Sequence, residues 1–343
     1  MFRKNYLSYF FYLSIFFIIG CTDSEKNQSE SFFQGKTITI LVGSGPGGVT
    51  DTSARIIGRY LEKYIDGSPT IIVKNMPGGG SVTMSNHIFR SAPKDGLVLG
   101  YSLPAVLSVQ LMEPNRAKYD GNQLNWIGSI IKSTNAISIK DSEYNNIEQL
   151  MRNGSLTIGA TGRASPTYQL TAMSKALLGL DINIITGYEG SSDITLAMDR
   201  GEVDGQGTAM DYWSIARPEW LDNGTLTHLV HIGPRDNIRS PDSPHLKDLV
   251  SSTRDKQLVD FLEIGINLGW PLFAPPGVPE DRLVVIRNAF ANLSEDQEMQ
   301  QAIFSTMGAK INYTSASELT EYTKIALNTE QSIINEAKNI LGL

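Results

Sequence analysis

The stretch Gly43-Ser-Gly-Pro-Gly-Gly-Val-Thr-Asp51 decides how the first folded unit of this chain is built. It follows the alternating apolar segment Thr37–Val42, which predicts a strand. It precedes Thr52–Tyr64, whose apolar periodicity predicts an amphipathic helix. A glycine-rich turn between a strand and a helix exposes backbone N–H groups at a helix N-terminus, where the helix dipole favours an anion. The sequence therefore predicts an anion site in the first folded unit.

Two nucleotide-binding motifs share part of this spacing, but each lacks the residue that would confirm it. The glycines of residues 43–48 fit the dinucleotide fingerprint, which also needs an acidic residue at the end of the second strand. That strand ends in Lys74 and Asn75 instead. Val49 occupies the lysine position of the phosphate-binding loop pattern, so the main counter-charge for a nucleotide is missing. The turn is predicted to hold an anion other than a nucleotide, and no cofactor is expected.

The first twenty residues have the layout of an export signal. Arg3 and Lys4 form a basic start, Tyr6–Ile19 is almost wholly apolar, and the only cysteine, Cys21, follows a small residue. This pattern predicts a secretory signal peptide over residues 1–20, and the cysteine at its end looks like that of a bacterial lipobox. The alternative is an uncleaved anchor helix, which is disfavoured because the apolar run is shorter than the ~20 residues of a comfortable span.

Charge and length restrict the classes of protein that remain. The chain has 29 Lys and Arg against 36 Asp and Glu, and loss of the signal peptide removes two positive charges, giving a formal charge of −9. A chain this acidic is a poor nucleic-acid binder, because phosphate neutralisation needs clustered cations. Residues 21–35 are polar and predict a flexible tether. About 310 residues remain, which favours two lobes over a single core.

Strand and helix patterns alternate along the rest of the chain, which predicts a mostly parallel sheet covered on both faces. Ligands of such sheets bind beyond the carboxyl ends of the strands, where turns lead into helix N-termini. Two glycine-rich runs, residues 43–48 and 159–162, occupy that kind of position. The C-terminal third is predicted to be mostly helical, over residues 279–293, 295–307 and 316–340.

Four motifs, in this order, carry a resemblance to a known family. They are Ile40–Asp51 with Ala54 and Arg55; Ile72–Gly80 leading to Ala92–Gly96; Gly159–Pro166; and Gly187–Gly190 with Gly201–Asp204, closed by Leu272–Pro279. The chain resembles the extracytoplasmic solute receptors of tripartite tricarboxylate transporters, also called the Bug family. The resemblance runs from about residue 36 to the C-terminus.

The resemblance implies an α/β protein of two lobes hinged by crossing strands, with a periplasmic-binding-protein architecture and sheets of mixed or parallel strands covered by helices. The expected first lobe is residues 36–137 plus 268–343, and the second is residues 138–267. The family captures a small carboxylate between the lobes and delivers it to membrane permease subunits, without catalysis. It also implies that Cys21 carries a lipid, so that the mature protein is periplasmic and anchored to a bilayer.

The resemblance also implies that two opposed turns hold the ligand carboxylate, largely through backbone N–H groups and ordered water. The implied ligand-binding residues are Ser44, Gly45, Pro46, Gly47, Gly48, Val49, Thr50 and Asp51 in the first turn; Thr161, Gly162, Arg163, Ala164 and Ser165 in the second; and Tyr188, Asp204, Thr208 and Asp211 elsewhere in the cleft. Gly45 replaces a proline that is usual in the family, and Arg163 brings a charge to a turn that often lacks one. A dicarboxylate is the first expectation for the ligand, followed by an aromatic or amino-acid-like carboxylate.

Several single residues have two interpretations. Arg163 either makes a bidentate contact to a carboxylate or is a solvated loop arginine. Asp204 and Asp211 either bind an amino or hydroxyl group of the ligand, or they cap a turn and begin a helix, respectively. Tyr188 is either a wall of the cleft or, as is more common for aromatic residues, part of the core.

Metal and enzyme chemistry find little support in the sequence. His228 and His231 lie three apart in a predicted strand, where such positions face opposite sides, so no metal site is expected. A secreted enzyme is disfavoured because no nucleophile, base, metal cluster or cofactor acid is recognisable. A receptor that reports its ligand to a membrane signalling partner, rather than to a permease, remains an alternative that the sequence does not separate from transport.

Overall fold

The computed structural model describes residues 32–141, 143–163, 165–234 and 243–343. The predicted signal peptide, Cys21, most of the tether and Ala164 lie outside the described residues. Among the helices within the described ranges, none combines the length and the apolar character needed to cross a membrane.

Within the described residues, eleven strands form two separate sheets. The first sheet has six strands in the order β11-β4-β10-β3-β1-β2, and the second has five in the order β7-β6-β8-β5-β9. The strands of the first sheet are β1 (Thr37–Val42), β2 (Thr70–Asn75), β3 (Val98–Tyr101), β4 (Asn125–Ser129), β10 (Pro271–Ala274) and β11 (Thr314–Ser315). Those of the second sheet are β5 (Asn135–Lys140), β6 (Ser155–Ala160), β7 (Asp181–Thr186), β8 (Gly205–Ala209) and β9 (Leu226–Ile232).

Helices cover both sheets, and each sheet with its helices forms one lobe. The helices of the described residues are α1 (Val49–Leu61), α2 (Val82–Arg90), α3 (Val106–Met112), α4 (Ile147–Asn153), α5 (Pro166–Leu178), α6 (Ser191–Asp199), α7 (Trp213–Ala216), α8 (Pro218–Asp222), α9 (Leu246–Leu249), α10 (Thr253–Leu262), α11 (Ile264–Leu268), α12 (Glu280–Ser294), α13 (Gln297–Met307), α14 (Ala316–Leu327) and α15 (Gln331–Leu341). This arrangement confirms the two-lobe α/β fold.

Both sheets are mixed, so the expectation of a mostly parallel sheet was only partly right. β1 pairs in parallel with β2 and β3, and β6 pairs in parallel with β7 and β8. The strands β4, β5 and β10 pair antiparallel with their neighbours. These are the strands next to the crossings between the sheets, and hydrophobic periodicity carries no information on strand direction.

The chain crosses between the lobes in two places that lie side by side. β4 ends at Ser129 and β5 begins at Asn135 in the other sheet. The return path leaves α11, passes Gly269 and Trp270, and enters β10. The backbone N–H of Trp270 donates to the carbonyl of Ile131 over 3.3 Å, which joins the two crossing segments.

The C-terminal segment predicted as one helix over residues 316–340 is two helices, α14 and α15. The break follows from Thr329, whose hydroxyl donates to the carbonyl of Ala326 over 2.7 Å and so competes with helix continuation. The break lets α14 contact β4 in the first lobe while α15 packs on α5 and α10, which belong to the second.

Candidate functional site

The glycine-rich turn lies at the carboxyl end of β1, as the sequence predicts. Gly43 extends the sheet by donating to the carbonyl of Tyr101 over 2.9 Å, and α1 begins at Val49. Residues 46–49 are exposed, and the first-turn N–H groups of α1 have no partner within the helix. The turn therefore presents backbone donors and a positive dipole end to solvent. Residues Gly43–Asp51 are called the anion loop below.

Asp51 holds the anion loop in shape from within. It is only 3% exposed, and one carboxylate oxygen accepts from the Gly47 N–H at 2.9 Å and from Arg55 Nε at 3.0 Å. The other oxygen accepts from Asn75 Nδ2 at 2.8 Å and lies 2.9 Å from Arg55 Nη2. The Arg55 guanidinium is the main cause that lowers the pKa of Asp51 to about 2; burial opposes it, and Gly47 and Asn75 support it.

Because both carboxylate oxygens of Asp51 are hydrogen-bonded to Gly47, Arg55 and Asn75, this residue stabilises the conformation of the loop. Its side chain is buried, whereas residues 46–49 are exposed. The expectation that Asp51 contacts the ligand itself is not supported by this placement, which puts Asp51 in the first turn of α1.

The first residue of the anion loop, Gly43, contacts Ser81 at the N-terminus of α2. Ser81, at φ +77°, donates its hydroxyl to the carbonyl of Gly43 over 3.1 Å and accepts from the Leu103 N–H over 2.9 Å. A Cβ atom at Gly43 would lie 2.2 Å from Ser81 Oγ, so only glycine fits there. Asn75 also donates to the carbonyl of Ser44 over 3.0 Å, which joins the loop to the end of β2.

The second turn lies at the carboxyl end of β6 and leads into α5. The turn is closed by hydroxyl groups: Thr167 Oγ1 accepts from the Thr161 N–H at 3.1 Å and lies 2.7 Å from Ser165 Oγ. Ser165 Oγ donates to the carbonyl of Gly162 over 2.6 Å. Pro166 occupies the first helical position, where it removes one backbone donor. The N–H groups of Thr161, Gly162 and Ser165 are already bonded within the turn, so this shorter turn offers fewer free N–H groups than the anion loop.

Arg163 is exposed, and its guanidinium extends to the C-terminal end of α15. Its Nη1 donates to the carbonyl of Gly342 over 3.0 Å. The residue also lines a surface cavity of about 690 Å³ between α5, β7 and Ile340. Neither interpretation made from the sequence, a carboxylate ligand or a solvated loop arginine, includes this contact with the end of α15.

Three of the other expected site residues stay near the carboxyl edge of the second sheet. Thr208, at 7% exposure, lies with its hydroxyl 3.4 Å from that of Ser191 at the start of α6. Tyr188 is partly buried against the small apolar cluster that includes Ile194 and Met198, and a Cβ at Gly159 would lie 3.3 Å from its ring. Asp211 belongs to a single 3-10 turn directly after β8.

Asp204 lies away from these residues, contrary to expectation. It precedes β8, and one carboxylate oxygen accepts from the Thr157 N–H in β6 over 2.7 Å. Because β6 and β8 run parallel, this position is four residues, or about 13 Å, below the carboxyl edge that carries Thr208. Its carboxylate joins two strands, a role that differs both from ligand binding and from the turn cap given as its structural alternative.

The two histidines of β9 are buried and separately bonded. His228 Nδ1 lies 2.8 Å from the hydroxyl of Ser138, and His231 Nδ1 lies 3.3 Å from that of Ser243. Burial, with a smaller contribution from the charge of His231, lowers the pKa of His228 to about 4. Within the described part of the chain, no group of three or more His, Cys, Asp or Glu residues is arranged to hold a metal ion.

The structure adds two residues to the site that sequence reasoning missed. Asn75 ends β2 opposite Val42, in parallel register. Because the two strands end at the same edge of the sheet, knowledge of this register would have placed Asn75 beside the anion loop. Trp270, in the crossing segment, donates its indole N–H to the hydroxyl of Thr50 over 3.0 Å. It is 220 residues away in sequence, and no local pattern indicates the contact.

Comparisons with known proteins give the following matches. No family model matches the chain. It is 24% identical over 290 residues to protein BugT of Bordetella pertussis, covering 82% of this chain and 83% of that protein. It is 25% identical over 191 residues to a UPF0065 protein of Pseudomonas sp. strain P51, a match that spans 55% of that relative.

Solved structures match over most of the chain. A TctC solute-binding protein from Polaromonas has a TM-score of 0.66 at 17% identity, covering 88% of this chain and 98% of that one. Rpa4515 of Rhodopseudomonas palustris, solved with adipate, has a TM-score of 0.62 at 17% identity, covering 90% and 97%. MatC of the same organism, solved with bound malate, has a TM-score of 0.58 at 18% identity, covering 89% and 99%.

The two sheets, each with a glycine-containing turn at the carboxyl end of a parallel strand, define the class: this is a two-lobed α/β protein with the fold of periplasmic solute-binding proteins. The matches bear out the family resemblance carried by the four motifs, since the chain is similar in sequence to protein BugT and similar in fold to a TctC solute-binding protein.

Proposed function

We propose that this protein is an extracytoplasmic receptor that binds a small carboxylate between its two lobes and releases it unchanged. The first lobe is proposed to carry the six-stranded sheet and the second the five-stranded sheet, with the whole of β5 in the second lobe and α15 packed on it. In the bound state the anion loop and the turn at Thr161–Ser165 face the same ligand. Differential contacts in the closed arrangement stabilise it when ligand is present.

The anion loop is the observation that carries this proposal. It has exposed backbone donors at a helix N-terminus, and its one carboxylate, Asp51, is buried and fully used in holding the loop. Arg55 uses its guanidinium on Asp51 and Asn75. A ligand therefore meets backbone N–H groups instead of a competing negative side chain, and such a surface suits a compact anionic group.

A dicarboxylate is the proposed ligand class. The anion loop takes one carboxylate, and the second lobe selects the group at the far end through Thr161, Ser165 and Thr208. Support for this choice comes from the hydroxyl character of the second turn and from two relatives in fold, which were solved with malate and with adipate. Asp211 and Tyr188 lie near the same edge and complete the proposed set.

Export and delivery complete the proposal. Residues 1–20 direct secretion, Cys21 carries the lipid, and the polar tether lets the lobes reach membrane permease subunits. A mass measurement of the mature protein extracted from membranes tests the anchor. A diacylated or triacylated Cys21 as first residue supports it, whereas an intact N-terminus or an unmodified soluble form contradicts it.

Thermal unfolding with a panel of acids tests the binding function. Succinate, malate, adipate, citrate and benzoate are added to the purified mature chain, with the neutral diamides of succinate and adipate as controls. A ligand at 100 times its Kd adds roughly 2.7 kcal/mol to the unfolding free energy, so binders are readily detected. We expect at least one diacid to stabilise the protein and its diamide to have no effect. Equal stabilisation by acid and diamide, or none by any acid, contradicts the proposal. Recovery of the acid unchanged after incubation supports binding without catalysis.

A further inference from the structure

Trp270 lies in one of the two crossing segments, called the hinge below, and contacts the anion loop. Its backbone N–H bonds to Ile131 of the other crossing segment, and its side chain leaves the hinge toward the start of α1. The preceding residue, Gly269, has φ +66° and ψ −148°, a conformation that favours glycine. A Cβ atom at Gly269 would lie 2.3 Å from the Ile131 carbonyl oxygen, so the two crossing segments fit together closely.

The indole N–H of Trp270 sets the role of the Thr50 hydroxyl. An indole nitrogen only donates, so Thr50 Oγ1 is the acceptor in the 3.0 Å contact between them. A hydroxyl that accepts still has its own hydrogen to donate. Among the residues that the structure describes, no acceptor is recorded for that hydrogen. Thr50 is the second residue of α1, where the N–H groups of the anion loop are also directed outward.

We propose that Trp270 is a positioning residue for ligand capture. It holds the Thr50 hydroxyl as a donor to the bound carboxylate, and it ties the anion loop to the hinge so that ligand and lobe closure are coupled. The ligand part of this inference rests on the proposed function. The contact between Trp270 and Thr50 exists without ligand and is tested separately.

The first measurement uses the ligand-free protein. The chain has four tryptophans, so a ¹⁵N-tryptophan sample gives four indole signals, and Trp270→Phe identifies one of them by its loss. Thr50→Val keeps the shape of the side chain but removes the acceptor, so it should shift that signal alone. Thr52 lies two residues after Thr50 on the same helix. Thr52→Val makes the same chemical change at a residue without a Trp270 contact, so it should leave all four signals in place.

Amide hydrogen exchange, also without ligand, tests the link to the loop. Trp270→Phe should speed exchange at residues 52–54, the first amides bonded within α1, and at residue 270, whose N–H is bonded to Ile131, together. Trp220→Phe removes an indole from the second lobe and should change neither. A Trp270 indole signal that Thr50→Val leaves unmoved, or exchange at these residues that Trp270→Phe leaves unchanged, overturns the inference.

The second measurement uses adipate and malate in titration calorimetry. Thr50→Val and Trp270→Phe should each weaken binding about fivefold, which is the size of a typical net hydrogen bond. The double variant should also be about fivefold weaker, because both changes remove one interaction. Thr50→Ser keeps the hydroxyl and should stay within twofold of the natural protein.

The two failures can be told apart. Additive losses, about 25-fold in the double variant, overturn the role of Trp270 while leaving carboxylate binding intact. Absence of binding by the natural protein to either acid contradicts the proposed dicarboxylate function. The inference on Trp270 is then decided by the two ligand-free measurements alone.

Discussion

The anion loop and the second turn have the same outline and are held by different chemistry. Each follows a parallel strand and leads into a helix of 13 residues. The anion loop is braced by ionic groups, since Asp51 joins Gly47, Arg55 and Asn75. The second turn is braced by the neutral hydroxyls of Ser165 and Thr167. The comparison shows that either ionic groups or neutral hydroxyls can hold such a turn in shape. Only the stability of the turn held by ionic groups is expected to depend on pH.

The two turns also differ in how many donors they leave free. Val49 begins α1 and keeps its N–H, whereas Pro166 begins α5 and has none. The anion loop is thus suited to a compact anionic group, which the proposed acids have in common. The second turn has fewer free N–H groups, so under the proposed function it contributes to telling one acid from another.

The largest expected effect is from Asp51→Asn. The depressed pKa of Asp51, about 2 against 3.8, corresponds to about 2 kcal/mol of stabilisation of the charged form, and its side chain is only 5% exposed. We expect the variant to lose about 2 kcal/mol of unfolding free energy in urea and at least tenfold in ligand affinity. Asp66→Asn, at an exposed position, is the matched control. A stable Asp51→Asn protein with normal affinity would show that the ionic brace is dispensable.

The same group predicts a contribution to the pH dependence of stability that comes from the anion loop. Because the folded-state pKa of Asp51 lies below its unfolded value, its stabilisation is present above about pH 4 and is lost as the pH falls toward 2. Urea unfolding of the natural protein from pH 6 to pH 2 should therefore fall more steeply than that of Asp51→Asn. Parallel curves for the two proteins contradict the assignment.

Gly43→Ala tests the contact between the anion loop and Ser81. The new methyl group would lie 2.2 Å from Ser81 Oγ and 2.5 Å from Ser81 Cβ, so we expect a loss of about 2 kcal/mol in unfolding free energy. At Gly48 and at Gly162 a Cβ atom meets nothing within 4 Å, and alanine there should cost only a few tenths of a kcal/mol. A costly Gly162→Ala would mean that the second turn is as tightly confined as the first.

Thr167→Val probes the hydroxyl brace of the second turn. It removes the acceptor of the Thr161 N–H and the partner of Ser165 Oγ. We expect a loss of about 1 kcal/mol in unfolding free energy, with the same loss at pH 3 and at pH 6. Thr167→Ser keeps the hydroxyl and should recover most of it. A loss that changes with pH would remove the distinction between the two turns.

Arg163→Ala is expected to have the smallest effect. The arginine is exposed and bonds to the carbonyl of Gly342, so its loss should change unfolding free energy by about 0.5 kcal/mol or less. Ligand affinity in calorimetry should stay within twofold. A tenfold weaker affinity would instead restore the interpretation of Arg163 as a carboxylate ligand.

Features coded by neighbouring residues could be predicted from the sequence. The strand at Thr37–Val42, the glycine turn and the helix that follows are all present, because period, turn chemistry and helix start are local signals. The edge-of-sheet position of both turns followed from the same signals. The family resemblance supplied the two-lobe arrangement, and the fold confirms it.

What the sequence did not reveal depends on register and on long-range contacts. Asp204 was placed with Thr208, but the parallel register of β6 and β8 puts it about 13 Å lower. Trp270 meets Thr50 only because the crossing segments bring the chain back to the first sheet. Arg163 reaches Gly342 because α15 packs against the second lobe. The hydrophobic periods of strands and helices are local signals, so they do not indicate which distant residues come into contact.

Backbone NMR during titration with adipate tests the central claim most directly. The claim is that the anion loop and the second turn hold one ligand between them. The amide signals of Gly48–Thr50 and those of Thr161–Ser165 should move together, saturate with one Kd, and stay in place when adipamide replaces adipate. Movement of one turn without the other, or of residues lining the cavity beside Arg163 in place of both turns, would contradict the claim.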